Sequence, residues 1–267
     1  MTGGASKAHE RRVELDGMLN VRDLGGMPAA EGKQVRSGQI LRMDSPQFMT
    51  ESAAGTLLGG GFRTVLDLRY PTESEQEGIG FLAHERIRHV NVPIASSDNQ
   101  TAPGLRQMLE AAEGQPPAEV VYEYYQGYFT TANGKAITTA VREMANADSL
   151  PLIVHCAAGK DRTGCVVATA LSAIGVPDEV IADDYAASAD AVPAIVARLH
   201  GLGTYGDIDQ TTVDLQRTRA ETMLLVLQWL KDEHGGARRF LLERGMTEDE
   251  LERLEALLLV DADEDVA

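Results

Sequence analysis

The chain has few cysteines, few cationic residues and no long apolar run. Two cysteines among 267 residues exclude a fold held together by a network of disulfides. Lysine and arginine number 24 against 41 aspartates and glutamates, and the net charge of −17 at pH 7 argues against nucleic acid as a partner. No apolar stretch reaches the roughly 18 residues that a membrane-spanning helix needs, so stable membrane insertion is not expected.

The length and the apolar content predict one large domain. Hydrophobic residues make up 43% of the chain, enough for the core of a single α/β domain, which we assign to residues 13–260. Residues 1–12 are expected to be disordered, and residues 261–267 to form a solvated acidic tail. Residues 1–12 also lack the apolar core of a signal peptide, which predicts a cytoplasmic protein and leaves signal-less export open.

Short apolar runs alternate with helical spacings, which predicts an α/β fold with a central, mostly parallel sheet of about four to five strands flanked by helices. Strands are expected at residues 39–41, 64–68, 89–94 and 152–154. In the first half of the chain, helices are expected before Gly59, within the long loop 95–118 and over residues 119–147. In the second half, one helix is expected between the loop after residue 154 and Gly175, and two within residues 178–200, separated near Pro193. Two more are expected over residues 213–231 and after Thr247.

The most informative segment runs from His155 to Gly164 and reads His-Cys-Ala-Ala-Gly-Lys-Asp-Arg-Thr-Gly. It lies between a predicted buried strand and a predicted helix, and a loop that enters a helix N-terminus binds anions through its N–H groups and the helix dipole. In that position the pKa of a thiol falls, which makes Cys156 a candidate nucleophile. The planar fork of Arg162 can hold two phosphate oxygens at once. The segment therefore predicts phosphoryl transfer to sulfur, with no metal ion and no cofactor.

The other residues of this loop have expected supporting roles. The backbone of Ala157 to Arg162 is expected to bind the substrate phosphate, and Gly159 permits a conformation that a Cβ would resist. Thr163 could donate its hydroxyl to the sulfur, and His155 is expected to orient the loop through hydrogen bonds. Cys165 is best interpreted as a small buried apolar side chain rather than a redox partner of Cys156.

The segment resembles the signature loop of the cysteine-dependent protein tyrosine phosphatases, and its Gly-Lys-Asp-Arg-Thr-Gly part resembles the bacterial PtpB-type branch, which also acts on phosphoinositides. Other motifs of that branch have counterparts here. They are Asn20, Arg22 and Asp23; Asp67, Arg69 and Glu73; and Asp184, Tyr185 and Ser188, followed by Ala189 where asparagine is expected. The resemblance implies a tyrosine-phosphatase-like fold with a helical lid and C-terminal helices. We expect Asn20, Arg22 and Asp23 to support the loop structurally.

The general acid that protonates the leaving group has two candidates. Asp161 lies inside the loop beside Arg162, and the myotubularin-type lipid phosphatases carry an aspartate at the matching place. Asp67 ends a strand that should pack beside the catalytic strand, where ligands bind in α/β sheets. The alternative for Asp67 is a structural ion pair with an arginine, Arg69 or Arg22.

The expected substrate is a phosphorylated protein or a phosphoinositide. Hydrolysis of phosphotyrosine, with activity on phosphoserine and phosphothreonine as an extension, is the first hypothesis. Lys160 favours a phosphoinositide, because lipid phosphatases of the phosphatase-and-tensin type carry a lysine there, although it could be a solvated loop charge. A phosphate-binding module without turnover and a sulfurtransferase or arsenate reductase are the remaining alternatives. Residues 188–212 are a candidate lid, and the sequence does not indicate an oligomeric state.

Overall fold

A five-stranded sheet runs through the centre of the computed structural model, which describes residues 7–95, 104–112, 114–205 and 213–262. Its order is β1-β3-β6-β4-β5, and only β1 is antiparallel to its neighbour. The predicted fold class is thereby confirmed. The strands, including a separate antiparallel pair β2–β7, are β1 (Arg22–Asp23), β2 (Lys33–Val35), β3 (Ile40–Met43), β4 (Thr64–Asp67), β5 (Arg88–Asn91), β6 (Leu152–His155) and β7 (Leu259–Asp261).

Twelve α-helices are present in the described residues. They are α1 (Lys7–Glu10), α2 (Glu51–Gly59), α3 (Pro71–Glu77), α4 (Leu105–Ala111), α5 (Pro117–Gln126), α6 (Thr131–Met144), α7 (Asp161–Ala173), α8 (Asp178–Ala186), α9 (Val192–His200), α10 (Ala220–His234), α11 (Ala237–Glu243) and α12 (Glu248–Leu258). Among the described residues, none of the helices combines the length and the apolarity that a bilayer crossing requires.

Strand β6 occupies the middle of the sheet, between β3 and β4. Its side chains alternate between two hydrophobic clusters, as the pleat of a strand dictates. Leu152 and Val154 face the larger cluster, which α5, α6, α7 and α10 to α12 complete, and Ile153 faces a smaller cluster that includes α2. Because both faces are covered, the strand consists of apolar residues without polar alternation. His155 ends it in register with Met43 and Asp67, so the ends of three parallel strands meet there.

Helix α10 begins later than the sequence predicts. The spacing places its start at residue 213, but the structure places it at Ala220. The guanidinium of Arg219 donates hydrogen bonds to the carbonyls of Asp214, Leu215 and Arg217, which occupies acceptors that a helix would use. Residues 213–219 therefore form turns, and one of them contacts the candidate site.

Two regions contain structure that is not evident from the sequence. Strand β1 pairs with β3, and the β2–β7 pair joins the start of the domain to its end. The stretch 1–12, predicted to be disordered, includes helix α1, and Arg11 donates to the buried carboxylate of Asp184. This ion pair ties residues 7–12 to the domain and corrects that expectation for them. Residues 1–6 lie outside the described part of the chain, as do residues 263–267 of the predicted acidic tail.

Candidate active site

The loop between β6 and α7 lies at the carboxyl end of the central strand. Cys156 follows β6 directly and is 2% exposed, and α7 begins at Asp161. The loop therefore runs from the edge of the sheet to a helix N-terminus, where backbone N–H groups and the helix dipole favour an anion. The site sits where parallel α/β sheets bind their ligands.

Gly159 is required at its position for two reasons. Its φ of +65° lies in the left-handed region that residues with a Cβ avoid. A Cβ built on it would also lie 2.2 Å from the carbonyl oxygen of Met43, inside β3. The loop thus packs directly on the backbone of the neighbouring strand, which no other residue permits.

Three donors hold the loop from its outer side through successive carbonyl groups. Ser45 N donates to Ala157 O (3.0 Å), Asn20 Nδ2 to Ala158 O (3.0 Å) and Arg42 Nη2 to Gly159 O (2.8 Å). In a planar trans peptide the N–H points opposite to the C=O. The N–H groups that follow these carbonyls therefore point away from the donors, which is the arrangement that an anion-binding loop needs.

A buried carboxylate, Asp184, anchors this support. Arg11 Nη2 and Arg22 Nε donate to its Oδ1 (3.0 and 3.2 Å), and Arg42 Nη1 donates to its Oδ2 (2.6 Å). Burial alone would raise the pKa of Asp184, but the three guanidinium groups hold it well below its usual range. Burial lowers the pKa of Arg22 to about 10 despite its partner Asp184. Three cations surround one anion here, so the support beneath the loop carries excess positive charge.

Asn20 and Arg22 bond within this support, whereas the side chain of Asp23 bonds elsewhere. Arg22 Nη1 donates to Asn20 Oδ1 (2.6 Å), and both side chains hydrogen-bond to Ser188 Oγ (3.0 and 3.3 Å). The carboxylate of Asp23 instead accepts from the backbone of Gly25 and Gly38. These bonds join the end of β1 to the turns that flank β2, so the Asp23 carboxylate does not take its expected position under the loop.

Arg162 is held by Glu73 of α3. Its Nη1 and Nη2 donate to the two carboxylate oxygens of Glu73 at 2.7 and 3.0 Å. Burial would raise the pKa of Glu73, but Arg162 lowers it below its usual value. Burial would likewise lower the pKa of Arg162, but Glu73 and, next, Cys156 raise it well above its usual value. The guanidinium therefore stays charged, and it lines the same cavity as Cys156.

His155 and Thr163 differ in how far they fit their expected roles. His155 is fully buried, and its Nδ1 lies 3.0 Å from the carbonyl oxygen of Cys156, so Nδ1 carries the proton. Burial lowers the pKa of His155 to about 4, which keeps the ring neutral at neutral pH. Thr163 Oγ1 is buried without a hydrogen-bond partner among the described residues, so the predicted bond to the sulfur is not formed. Thr163 already belongs to α7, whose geometry directs this side chain into the core.

Asp67 is occupied by structural contacts. Its carboxylate accepts from Arg69 (2.7 and 2.9 Å), Ser74 (2.8 Å) and His89 (3.2 Å), and it is fully buried. Burial would raise the pKa of Asp67, but its neighbours, foremost His155, hold it well below the usual range. Within the described part of the chain, the cavity lining does not include Asp67. These observations favour the structural ion pair with Arg69.

Asp161 and Lys160 line the cavity beside Cys156 and Arg162. Asp161 Oδ1 accepts a hydrogen bond from the hydroxyl of Tyr125 and lies 3.6 Å from Lys160 Nζ. Lys160 is 5% exposed and donates to the carbonyl of Gln216 (2.7 Å), in the turns before α10. It is therefore not a solvated loop charge.

A cavity of about 680 Å³ opens above the loop. Four buried apolar residues of α9, which belongs to the candidate lid 188–212, form one wall, and Tyr70, Tyr124, Tyr128 and Tyr205 form much of the rest. Arg198 of α9 donates to Gly17 O (2.9 Å) and Asp44 (3.3 Å), which fixes this helix to the N-terminal part of the domain. Residues 206–212 of the candidate lid lie outside the described residues.

The sequence is similar to those of known proteins over most of its length. Residues 13–260 match the sequence model of the tyrosine phosphatase family. The chain belongs to the tyrosine phosphatase family. It is 28% identical over 281 aligned positions to the triple specificity protein phosphatase PtpB of Mycobacterium tuberculosis, covering 92% of this chain and 98% of that protein. A Cupriavidus necator protein that carries the name of a tyrosine-protein phosphatase is 29% identical over 203 residues, 74% of this chain and 72% of its own. A tyrosine-protein phosphatase of Nostoc commune is 23% identical over 238 residues, 86% and 78% respectively.

Membership in the tyrosine phosphatase family confirms the predicted enzyme class, a phosphatase and hence a hydrolase. Arg42, Glu73 and Tyr125 contact the loop or its side chains, and the sequence alone did not indicate these roles. Only Arg42 could have been noticed in the sequence, because a charged residue inside an apolar strand indicates a buried polar partner. At Ala189, where family resemblance predicts asparagine, the backbone carbonyl accepts from Arg217 Nη1 (3.1 Å), so this contact needs no side chain.

Proposed function

We propose that this phosphatase hydrolyses phosphotyrosine monoesters through a covalent phosphocysteine intermediate on Cys156. The observation that carries the proposal is the convergence of Cys156, Asp161 and Arg162 on one cavity, above a loop whose carbonyls are bound from the outside. Such a loop stabilises the charge of a phosphoryl group without reorganising during the reaction.

In the first step the sulfur of Cys156 attacks phosphorus, an S–P bond forms and the P–O bond to the leaving group breaks. Asp161 gives its proton to the departing oxygen. In the second step water attacks phosphorus, Asp161 takes up a proton from that water, and the S–P bond breaks to release inorganic phosphate and the thiolate. Arg162 binds two phosphate oxygens with the edge of its fork that Glu73 leaves available.

The cavity supports an aromatic phosphoester as the preferred substrate. Tyrosine rings and apolar residues of α9 line it, which suits a flat apolar side chain that carries a phosphate. The name of the M. tuberculosis relative, a triple specificity phosphatase, supports activity beyond phosphotyrosine, including phosphoserine and phosphothreonine.

Lys160 supports the alternative substrate, a phosphoinositide, because its ammonium group borders the cavity. In the structure this group is already bonded to Gln216 O and lies near Asp161. A second phosphate on the substrate would have to displace those contacts, so we retain phosphotyrosine as the first candidate. Initial rates on a phosphotyrosine peptide and on a panel of phosphoinositides compare the two directly.

The mechanism is tested with two classes of ester in Cys156→Ser, Asp161→Asn and Asp67→Asn variants. Cys156→Ser should be inactive on both aryl and alkyl phosphates, whereas Cys165→Ala, a matched change at the other buried cysteine, should remain active. Aryl leaving groups need little acid assistance, so Asp161→Asn should impair the alkyl ester more than the aryl ester. Asp67→Asn should affect both esters equally, through stability. Turnover by Cys156→Ser at the wild-type rate would refute the covalent mechanism.

A further inference from the structure

Two tyrosine hydroxyls stand in series behind the carboxylate of Asp161. The hydroxyl of Tyr125, from α5, donates to Asp161 Oδ1, and it lies 2.8 Å from the hydroxyl of Tyr185, from α8. Tyr125 is 0% exposed and Tyr185 is 2% exposed. Burying two hydroxyl groups costs free energy unless each is hydrogen-bonded, so this chain of bonds is a specific feature of the core.

The direction of the protons in this chain follows from the chemistry of its end. A carboxylate can only accept, so the single proton of Tyr125 points to Asp161. The oxygen of Tyr125 then accepts, and the proton of Tyr185 must point to Tyr125. Each hydroxyl polarises the next toward the carboxylate, which strengthens the bond to Asp161.

These bonds leave the two oxygens of Asp161 in different states. Oδ1 is held by Tyr125 and lies near Lys160, whereas Oδ2 has no hydrogen-bond partner among the described residues. We propose that Tyr125, backed by Tyr185, is a positioning residue that fixes Asp161 through Oδ1 and reserves Oδ2 for proton exchange with the substrate. This inference rests on the proposed role of Asp161 as general acid.

Removal of the Tyr125 hydroxyl would take away the bond that holds Oδ1 of Asp161 and leave Lys160 as the charged group beside that oxygen. The carboxylate could then rotate, and a rotated carboxylate no longer presents Oδ2 to the leaving group, so acid assistance should fall.

The test is the balance of kcat between an alkyl and an aryl phosphate. Tyr125→Phe keeps the ring and removes only the hydroxyl that bonds to Asp161, and Tyr185→Phe removes the second hydroxyl of the chain of bonds. Tyr122→Phe is the matched control on α5, because its hydroxyl bonds to Gln126, and it should leave kcat on both esters unchanged.

Tyr125→Phe should lower kcat more on the alkyl phosphate than on the aryl phosphate, as Asp161→Asn does, with little change in KM. Tyr185→Phe should give a smaller difference of the same sign. Equal losses on both esters, or no loss on either, in Tyr125→Phe would overturn the inference. If Tyr125→Phe does not fold, equal losses or no loss in Tyr185→Phe overturns it instead. Failure of the proposed function looks different, since the wild-type protein would then turn over neither ester.

Discussion

Arg162 and Glu73 form two parallel hydrogen bonds, 2.7 and 3.0 Å long, between a loop after the central strand and a helix 89 residues earlier in the chain. Both side chains are largely buried. The carboxylate fixes the plane of the guanidinium and occupies one edge of it. The position of the phosphate-binding edge therefore depends on α3 as well as on the loop.

Glu73→Gln should leave the fold in place but misorient Arg162, because an amide oxygen can accept from only one arm of the fork. We expect kcat/KM for an aryl phosphate to fall by about 10²-fold, the loss typical of a displaced catalytic group. Glu75→Gln changes an exposed glutamate of the same helix and should behave like wild type. Wild-type kinetics in Glu73→Gln would show that the loop alone orients Arg162.

Gly159→Ala should abolish activity and destabilise the protein. A left-handed conformation costs a residue with a Cβ about 1–2 kcal/mol, and the clash with Met43 O adds to that strain. Gly61 has a φ of +85°, and a Cβ added there would meet no atom within 4 Å, so Gly61→Ala measures the conformational cost by itself. Urea denaturation should show a larger loss for Gly159→Ala than for Gly61→Ala. Equal losses would mean that β3 moves to accommodate the methyl group.

Asp184→Asn should destabilise the protein, because it leaves three guanidinium groups around a neutral amide. Removing one partner from a buried ion pair typically costs about 3–5 kcal/mol in the free energy of unfolding. Asp183→Asn changes an exposed neighbour in α8 and should cost little. Chemical denaturation of both variants measures the difference. A loss below ~1 kcal/mol in Asp184→Asn would show that the arginines find other partners.

Stability should fall as the pH decreases from about 6.5 toward 4, because of His155. Its pKa is lowered from 6.5 to about 4 by burial, so within this window the unfolded chain binds a proton that the folded protein does not. The contribution of His155 to the free energy of unfolding is fully present above pH 6.5. Its loss lowers that free energy by ~3 kcal/mol near pH 4. His155→Asn, whose amide nitrogen can keep the bond to Cys156 O, should flatten the dependence of the free energy of unfolding on pH. His84→Gln, at an exposed histidine, should keep the wild-type slope.

The sequence predicted most of the sheet and the reacting loop because their signals are local. The four apolar runs were placed within a few residues of strands β3 to β6, and the proline, glycine and capping signals located α7, α9 and α12. The loop motif brought together Cys156, Asp161 and Arg162, and the structure places these residues on the same cavity.

The roles of Arg42, Glu73 and Asp184 around the loop could not be predicted, because their partners are distant in the chain. Asp184 meets Arg42 across 142 positions, and Glu73 meets Arg162 across 89. No pattern of period or spacing encodes such pairs. The start of α10 was misplaced for a similar reason, since its apolar spacing extends to residue 213 while the side chain of Arg219 captures the carbonyls there. Strands β2 and β7 have 3 residues each, which is too short for an alternating pattern to be recognised.

The loop is bound from beneath by Asn20, which precedes β1, and by Arg42 of β3, whereas the cavity above it is walled by α3, α4, α5 and α9. Different segments thus encode the chemistry and the fit of the substrate. Substitutions in α4 and α9 can change which phosphoester enters without disturbing the arginines that organise the loop. Homologous enzymes in which separate segments support the loop and line the cavity can diverge in the molecules they dephosphorylate while they keep the same reaction.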